Sequence, residues 1–144
     1  MKRIRVIVSL LLCITLCSYA LGEEKKNLNI VFIGNSITQG ALLEDPRHDA
    51  PPVKAALYLR KQPTGGTVRY SNQGVSGSTT LDFLPQTDSL FPKVVQVADQ
   101  FRDETWATLV FSIMLGTNDS AITGPNGAPA QIDRKVLQPK LTHV

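Results

Sequence analysis

The 144-residue sequence predicts an α/β fold, a three-layer sandwich on a parallel sheet, and three observations carry that prediction. Short apolar runs suited to strands recur along the chain, and the first and the last are each closed at once by a glycine. Between the runs lie segments whose apolar residues fall at helical spacing. The resulting order of strand, helix, strand, helix, strand favours parallel strands joined by crossover helices.

Leu28 to Ile33 is β-branched-rich and stops at Gly34, as a strand buried on both faces would. A polar loop is expected from Glu44 to Ala50. Pro51-Pro52 followed by Val53, Ala56, Leu57 and Arg60 predicts a helix ending near Lys61, with Pro63 and Gly65-Gly66 as stop signals. Thr67 to Ser71 is the second strand, and "NQGVSGSTT" after it is expected to be loop, with Gly74 and Gly77 permitting tight backbone geometry. Phe91, Val94, Val95, Ala98 and Phe101 predict the second helix. Trp106 to Leu115 contains the third strand, and Gly116-Thr117-Asn118-Asp119 follows it. The run from Val110 to Leu115 reads as a central strand, which without a further neighbour would be an exposed apolar edge.

Residues 1–22 are expected to be a secretory signal peptide, because Lys2, Arg3 and Arg5 precede an apolar stretch from Val6 to about Leu16 and then small residues. A lipid-anchored reading at Cys17 is weaker, since Leu16 stands where a small residue is wanted. Setting those 22 residues aside takes Lys2, Arg3 and Arg5 from the fifteen basic residues and leaves twelve against twelve acidic ones. A neutral mature chain gives nucleic acid no electrostatic footing. Both cysteines, Cys13 and Cys17, fall in the signal, so the exported part has neither disulfide nor thiol nucleophile. No His/carboxylate cluster has metal-ligand spacing, no phosphate-binding glycine motif follows a strand, and no cofactor is expected. The chain is expected to reach the periplasm or the exterior and to keep no membrane span once the signal is cut.

A parallel sheet sends the C-termini of its strands to one edge, where ligands bind. The loops carrying Ser36, Gly77 and Asn118 should therefore converge. A serine at the end of a rigid strand can present its hydroxyl as a nucleophile, although serine is also an ordinary helix cap. Gly77 can offer an unobstructed backbone N–H and Asn118 a side-chain amide to a developing oxyanion. Each has an ordinary reading as a turn residue. Their joint appearance after three strands is the stronger signal.

The stretches "GNSIT", "NQGVSG" and "GTND" resemble three consecutive blocks of the SGNH hydrolase family, the GDSL-like esterases, between about Asn29 and Asp119. The resemblance implies a flavodoxin-like fold and a serine ester hydrolase. It gives Ser36 the roles of nucleophile and first oxyanion donor, Gly77 the second donor and Asn118 the third, with Asn35 and Asp119 in support. Position 35 departs from the family's usual Asp. Asparagine keeps the acceptor and loses the charge, so the turn should survive. Thr38 stands where the G-x-S-x-G elbow has its second glycine, which disfavours the ordinary α/β-hydrolase class. The longer form of the match is similar to secreted bacterial proteins that remove acyl groups, often acetyl, from carbohydrates.

The family's base comes from an Asp-x-x-His block near the C-terminus of the domain. His143 has Lys140 three positions before it and does not match. Asp45 to His48, "DPRH", has the spacing but lies in the loop after the first strand, where a solvated histidine is the ordinary expectation. The sequence is accordingly expected to carry a partial domain over 27–130 and a non-matching tail over 131–144, from a truncated or frame-shifted reading frame. A non-catalytic sugar-binding protein using the same crevice is the alternative.

Overall fold

A computed structural model describes residues 24–124, 130 and 132. The expected signal peptide, His143 and nearly all of the expected tail lie outside them. Strand β1 (Lys26–Gly34) is followed by two single-turn helices, α1 (Ser36–Gln39) and α2 (Pro46–Asp49), and by helix α3 (Pro51–Arg60). Strand β2 (Gly65–Gly74), two short 3₁₀ turns, helix α4 (Phe91–Arg102) and strand β3 (Thr108–Met114) complete the order.

The three strands form a parallel sheet in the order β2-β1-β3. Successive side chains of a strand point to opposite faces, and β1 uses both. Ile30 packs with Ala56 of α3 and Val68 of β2. Its neighbour Val31 packs with Ile33 and, from α4, Val94 and Phe101. The sheet is thus clamped between α3 and α4, the layering expected of an α/β sandwich.

Two expectations need correction. The segment Glu44–Ala50 is not all loop, because Pro46–Asp49 closes one helical turn, with Pro46 supplying a pre-set φ in its first position. Strand β2 does not stop at Ser71 but runs to Gly74, so Asn72 and Gln73 are strand residues. Pairing is made by backbone groups, and β1 offers partners for them: Phe32 faces Asn72, Ile33 faces Gln73 and Gly34 faces Gly74.

That register also sets the site. Gly34 is level with Gly74 on one side and Met114 on the other, so all three strands end in one row. The chain leaves β1 for β2 on one flank and returns to β3 on the other. The reversal falls at β1, where a crevice opens beyond the strand ends.

Candidate active site

Gly34 is where β1 stops, and only glycine fits. A Cβ there would lie 2.0 Å from Thr38 Oγ1 and 2.9 Å from the Met114 carbonyl oxygen. Its absence lets α1 fold back directly over the strand end. Asn35, fully buried, caps that turn, its Oδ1 accepting the Ile37 N–H at 3.0 Å. The acceptor that asparagine shares with aspartate is therefore in use. Because Asn35 is the cap, Ser36 is not. Ser36 takes the first helical position, and among the described residues its hydroxyl makes no hydrogen bond. It lines a cavity of about 230 Å³ whose other walls include Ile37, Ala41, Leu43 and Pro51.

The loop after β2 is tied to this strand end by backbone and side chain. The Val75 N–H donates to the Gly34 carbonyl at 3.0 Å, and Ser78 Oγ donates to the same oxygen at 3.1 Å. The Ser76 N–H reaches Gln39 Oε1 at 2.7 Å, and Asn72 Nδ2 reaches the Thr38 carbonyl at 2.9 Å. Between these anchors Gly77 sits in the left-handed region at φ 78°, exposed to solvent. A side chain there would be strained.

The loop after β3 joins through the same segment. Asn118 Nδ2 donates to the Ser78 carbonyl at 2.7 Å, one residue beyond Gly77. Asp119 accepts the Thr80 N–H at 3.0 Å and also the Thr80 hydroxyl, fastening the two loops a second time. Ser78 is thus hydrogen-bonded to the end of the β1 strand and to Asn118 together. The three loops named from the sequence lie along one edge and are laced to each other. A primary amide carries two N–H bonds, so the bond to Ser78 engages only one of the two that Asn118 has.

Four residues that do this lacing, Gln39, Asn72, Ser78 and Thr80, were not singled out in the sequence. Asn72 alone left a local trace. Its Oδ1 accepts the Gly74 N–H at 2.9 Å, the Asx-type contact that an asparagine two residues before a glycine favours.

The Asp45–His48 spacing forms a real pair. His48 Nδ1 donates to Asp45 Oδ2 at 2.6 Å, with both side chains exposed on α2 and its cap. That hydrogen bond, first among the causes, holds the Asp45 carboxyl below its usual value. An imidazole held through Nδ1 keeps Nε2 as its free basic nitrogen. Among the described residues no group of three or more His, Cys, Asp or Glu side chains could hold a metal ion.

No curated protein matches this sequence. A family model does, and it runs from the middle of the central strand through all three loops to the segment beyond them. The chain belongs to the GDSL-like lipase/acylhydrolase family, whose model matches residues 30–141.

Proposed function

We propose that this esterase-family chain cleaves carbohydrate esters through an acyl intermediate on Ser36. In this reading Ser36 Oγ attacks the ester carbonyl carbon while its proton passes to a base. The oxyanion is received by the N–H groups of Ser36 and Gly77 and by Asn118 Nδ2. The alcohol leaves with a proton, and water then releases the acid. Each oxyanion donor lowers the barrier by about 3 kcal/mol.

One observation carries the proposal: Asn35 takes the cap, which leaves the hydroxyl of Ser36, a residue lining a cavity at the end of the central strand, without a hydrogen bond among the described residues. The carbohydrate, and acetyl as its acyl group, are supported by the sequence resemblance. Export is supported by Lys2, Arg3 and Arg5 before the apolar run, and N-terminal sequencing of protein recovered outside the cytoplasm checks it.

The base is the demanding part. The Asp-x-x-His pattern occurs once in the chain, at Asp45–His48. Its placement off the family's pattern leads to the expectation that hydrolysis of p-nitrophenyl acetate is slow, with the oxyanion donors supplying a residual rate above water. Labelling by a fluorophosphonate, located by mass spectrometry, tests the nucleophile. Adduct on Ser36 that is lost in Ser36→Ala supports the reading, and absence of adduct favours the sugar-binding alternative. Ester turnover that both Ser36→Ala and His48→Ala abolish would make His48 the base.

A further inference from the structure

We propose that Ser78 is a positioning residue: its hydroxyl, tied to the end of β1, aims the Asn118 carboxamide at the oxyanion formed on Ser36. This rests on the acyl-Ser36 reading and adds to it the group that holds the third donor in place. Ser78 is buried, at 5% exposed, and bonds in three directions. Its N–H donates to the Val75 carbonyl at 3.2 Å, closing a turn over Val75–Ser78. Its Oγ donates to the Gly34 carbonyl at 3.1 Å, two residues before the nucleophile. Its own carbonyl accepts Asn118 Nδ2 at 2.7 Å. One residue therefore links the strand that carries Ser36 to the side chain that arrives from the end of β3.

The ordinary account of such a serine is that a buried hydroxyl must find some acceptor. Two observations favour a positioning role. The Gly34 carbonyl already accepts the Val75 N–H at 3.0 Å, so the strand end is satisfied without the Ser78 hydroxyl. Among the described residues the bond to Ser78 is the one hydrogen bond that the Asn118 side chain makes, so its aim depends on where that carbonyl lies. Oγ and the carbonyl belong to one residue. Anchoring the first limits how far the second, and Asn118 with it, can swing. A donor serves an oxyanion best when it is aimed beforehand, and a misplacement of about 1 Å can cost roughly 100-fold. Gly77 needs this anchor less, because Val75 and Ser76 on its N-terminal side are bonded to Gly34 and Gln39 independently.

The test is a double-mutant cycle on the rate at which a methyl fluorophosphonate labels Ser36, followed by mass spectrometry. A Ser36 Oγ–P bond forms, the P–F bond breaks, fluoride leaves and the hydroxyl proton passes to a base or to water. Asn118→Ala is expected to slow labelling about 100-fold, as loss of one oxyanion donor does, and Ser78→Ala about tenfold. The double variant is expected to be as slow as Asn118→Ala alone, because Ser78 acts through Asn118. In Ser78→Ala the limiting rate should fall while the half-saturating reagent concentration stays, with circular dichroism verifying the fold. If the alanine variant does not fold, Ser78→Cys, with its weaker donor, takes its place in the cycle. An unchanged rate, additive losses, or a loss confined to reagent affinity overturns the proposal. If the parent chain takes no label, the acyl-enzyme reading fails separately, and the side-chain amide signals of Asn118 in ¹⁵N-labelled protein decide the positioning claim. Signals that shift in the Ser78 variant while the Ser76 amide stays in place uphold it, and unmoved signals overturn it.

Discussion

Strands β1 and β3 are written in nearly the same language and live in opposite surroundings. Both are short apolar runs, paired residue for residue, with Val31 opposite Phe111 and Ile33 opposite Ile113. Yet Val31 and Ile33 are 0% and 8% exposed, while Phe111 and Ile113 are 48% and 67% exposed. The difference lies in the neighbours. β1 has a strand on each side and a helix on each face, whereas β3 is the edge of the described sheet. An apolar strand records a capacity for burial, and only its neighbours determine whether the burial happens.

The largest effect expected from that contrast is at the strand ends, where Gly34 and Met114 stand level. Gly34→Val would drive side-chain atoms into Thr38 and the Met114 backbone, and a loss above about 4 kcal/mol, seen as failure to give a cooperative urea transition, is expected. Met114→Val in the same row should change little. Next comes the paired test in mid-strand. Val31→Ala removes two methyl groups from the cluster with Val94 and Phe101 and should cost about 2 kcal/mol in chemical denaturation. Ile113→Ala, one strand over, should stay within about 0.5 kcal/mol. Equal costs at the two positions would mean that the edge strand is covered in solution.

A smaller effect comes from the opposite end of β1, where the side-chain amide nitrogen of buried Asn29 has partners while its Oδ1 has none among the described residues. Asn29 donates to the Phe101 carbonyl at 3.3 Å and to Glu104 Oε2 at 3.0 Å, and Arg69 pairs with the same carboxylate. The Asn29 hydrogen bond first, and then Arg69, hold the Glu104 carboxyl below its usual value, against the opposing effect of burial. A carboxyl whose folded value is depressed stabilises the fold above the unfolded value, and that contribution is lost as pH falls through the folded one. Glu104→Gln should therefore lower stability at neutral pH. Its difference from the parent should shrink on acidification from about pH 5 toward pH 2.

Much of this was legible because it is local. Strand β1 and helices α3 and α4 follow from period and proline placement, and the glycine after Ile33 marks the end of a strand for a reason the structure makes plain at Thr38. The edge exposure of β3 was foreseeable only as a conditional, since Val110 to Leu115 reads the same with or without a neighbour. The end of β2 was hidden because Asn72 and Gln73 are polar, while strand pairing there is decided by the β1 backbone alongside. The lacing of Gln39 to Ser76 and of Asn118 to Ser78 joins residues 37 and 40 positions apart. No local pattern encodes such contacts. The sequence could name three loops that should meet, and the fold supplies the bonds by which they do.

The central proposal is that Ser36 Oγ attacks the carbonyl carbon of a substrate whose oxygen is received by the N–H groups of Ser36 and Gly77 and by Asn118 Nδ2. A crystal structure of the chain phosphonylated on Ser36 tests it most directly. The account predicts a phosphonyl oxygen within about 2.7–3.1 Å of both the Gly77 nitrogen and Asn118 Nδ2. An adduct whose oxygens all face solvent, with Asn118 held only on the Ser78 carbonyl, would contradict it.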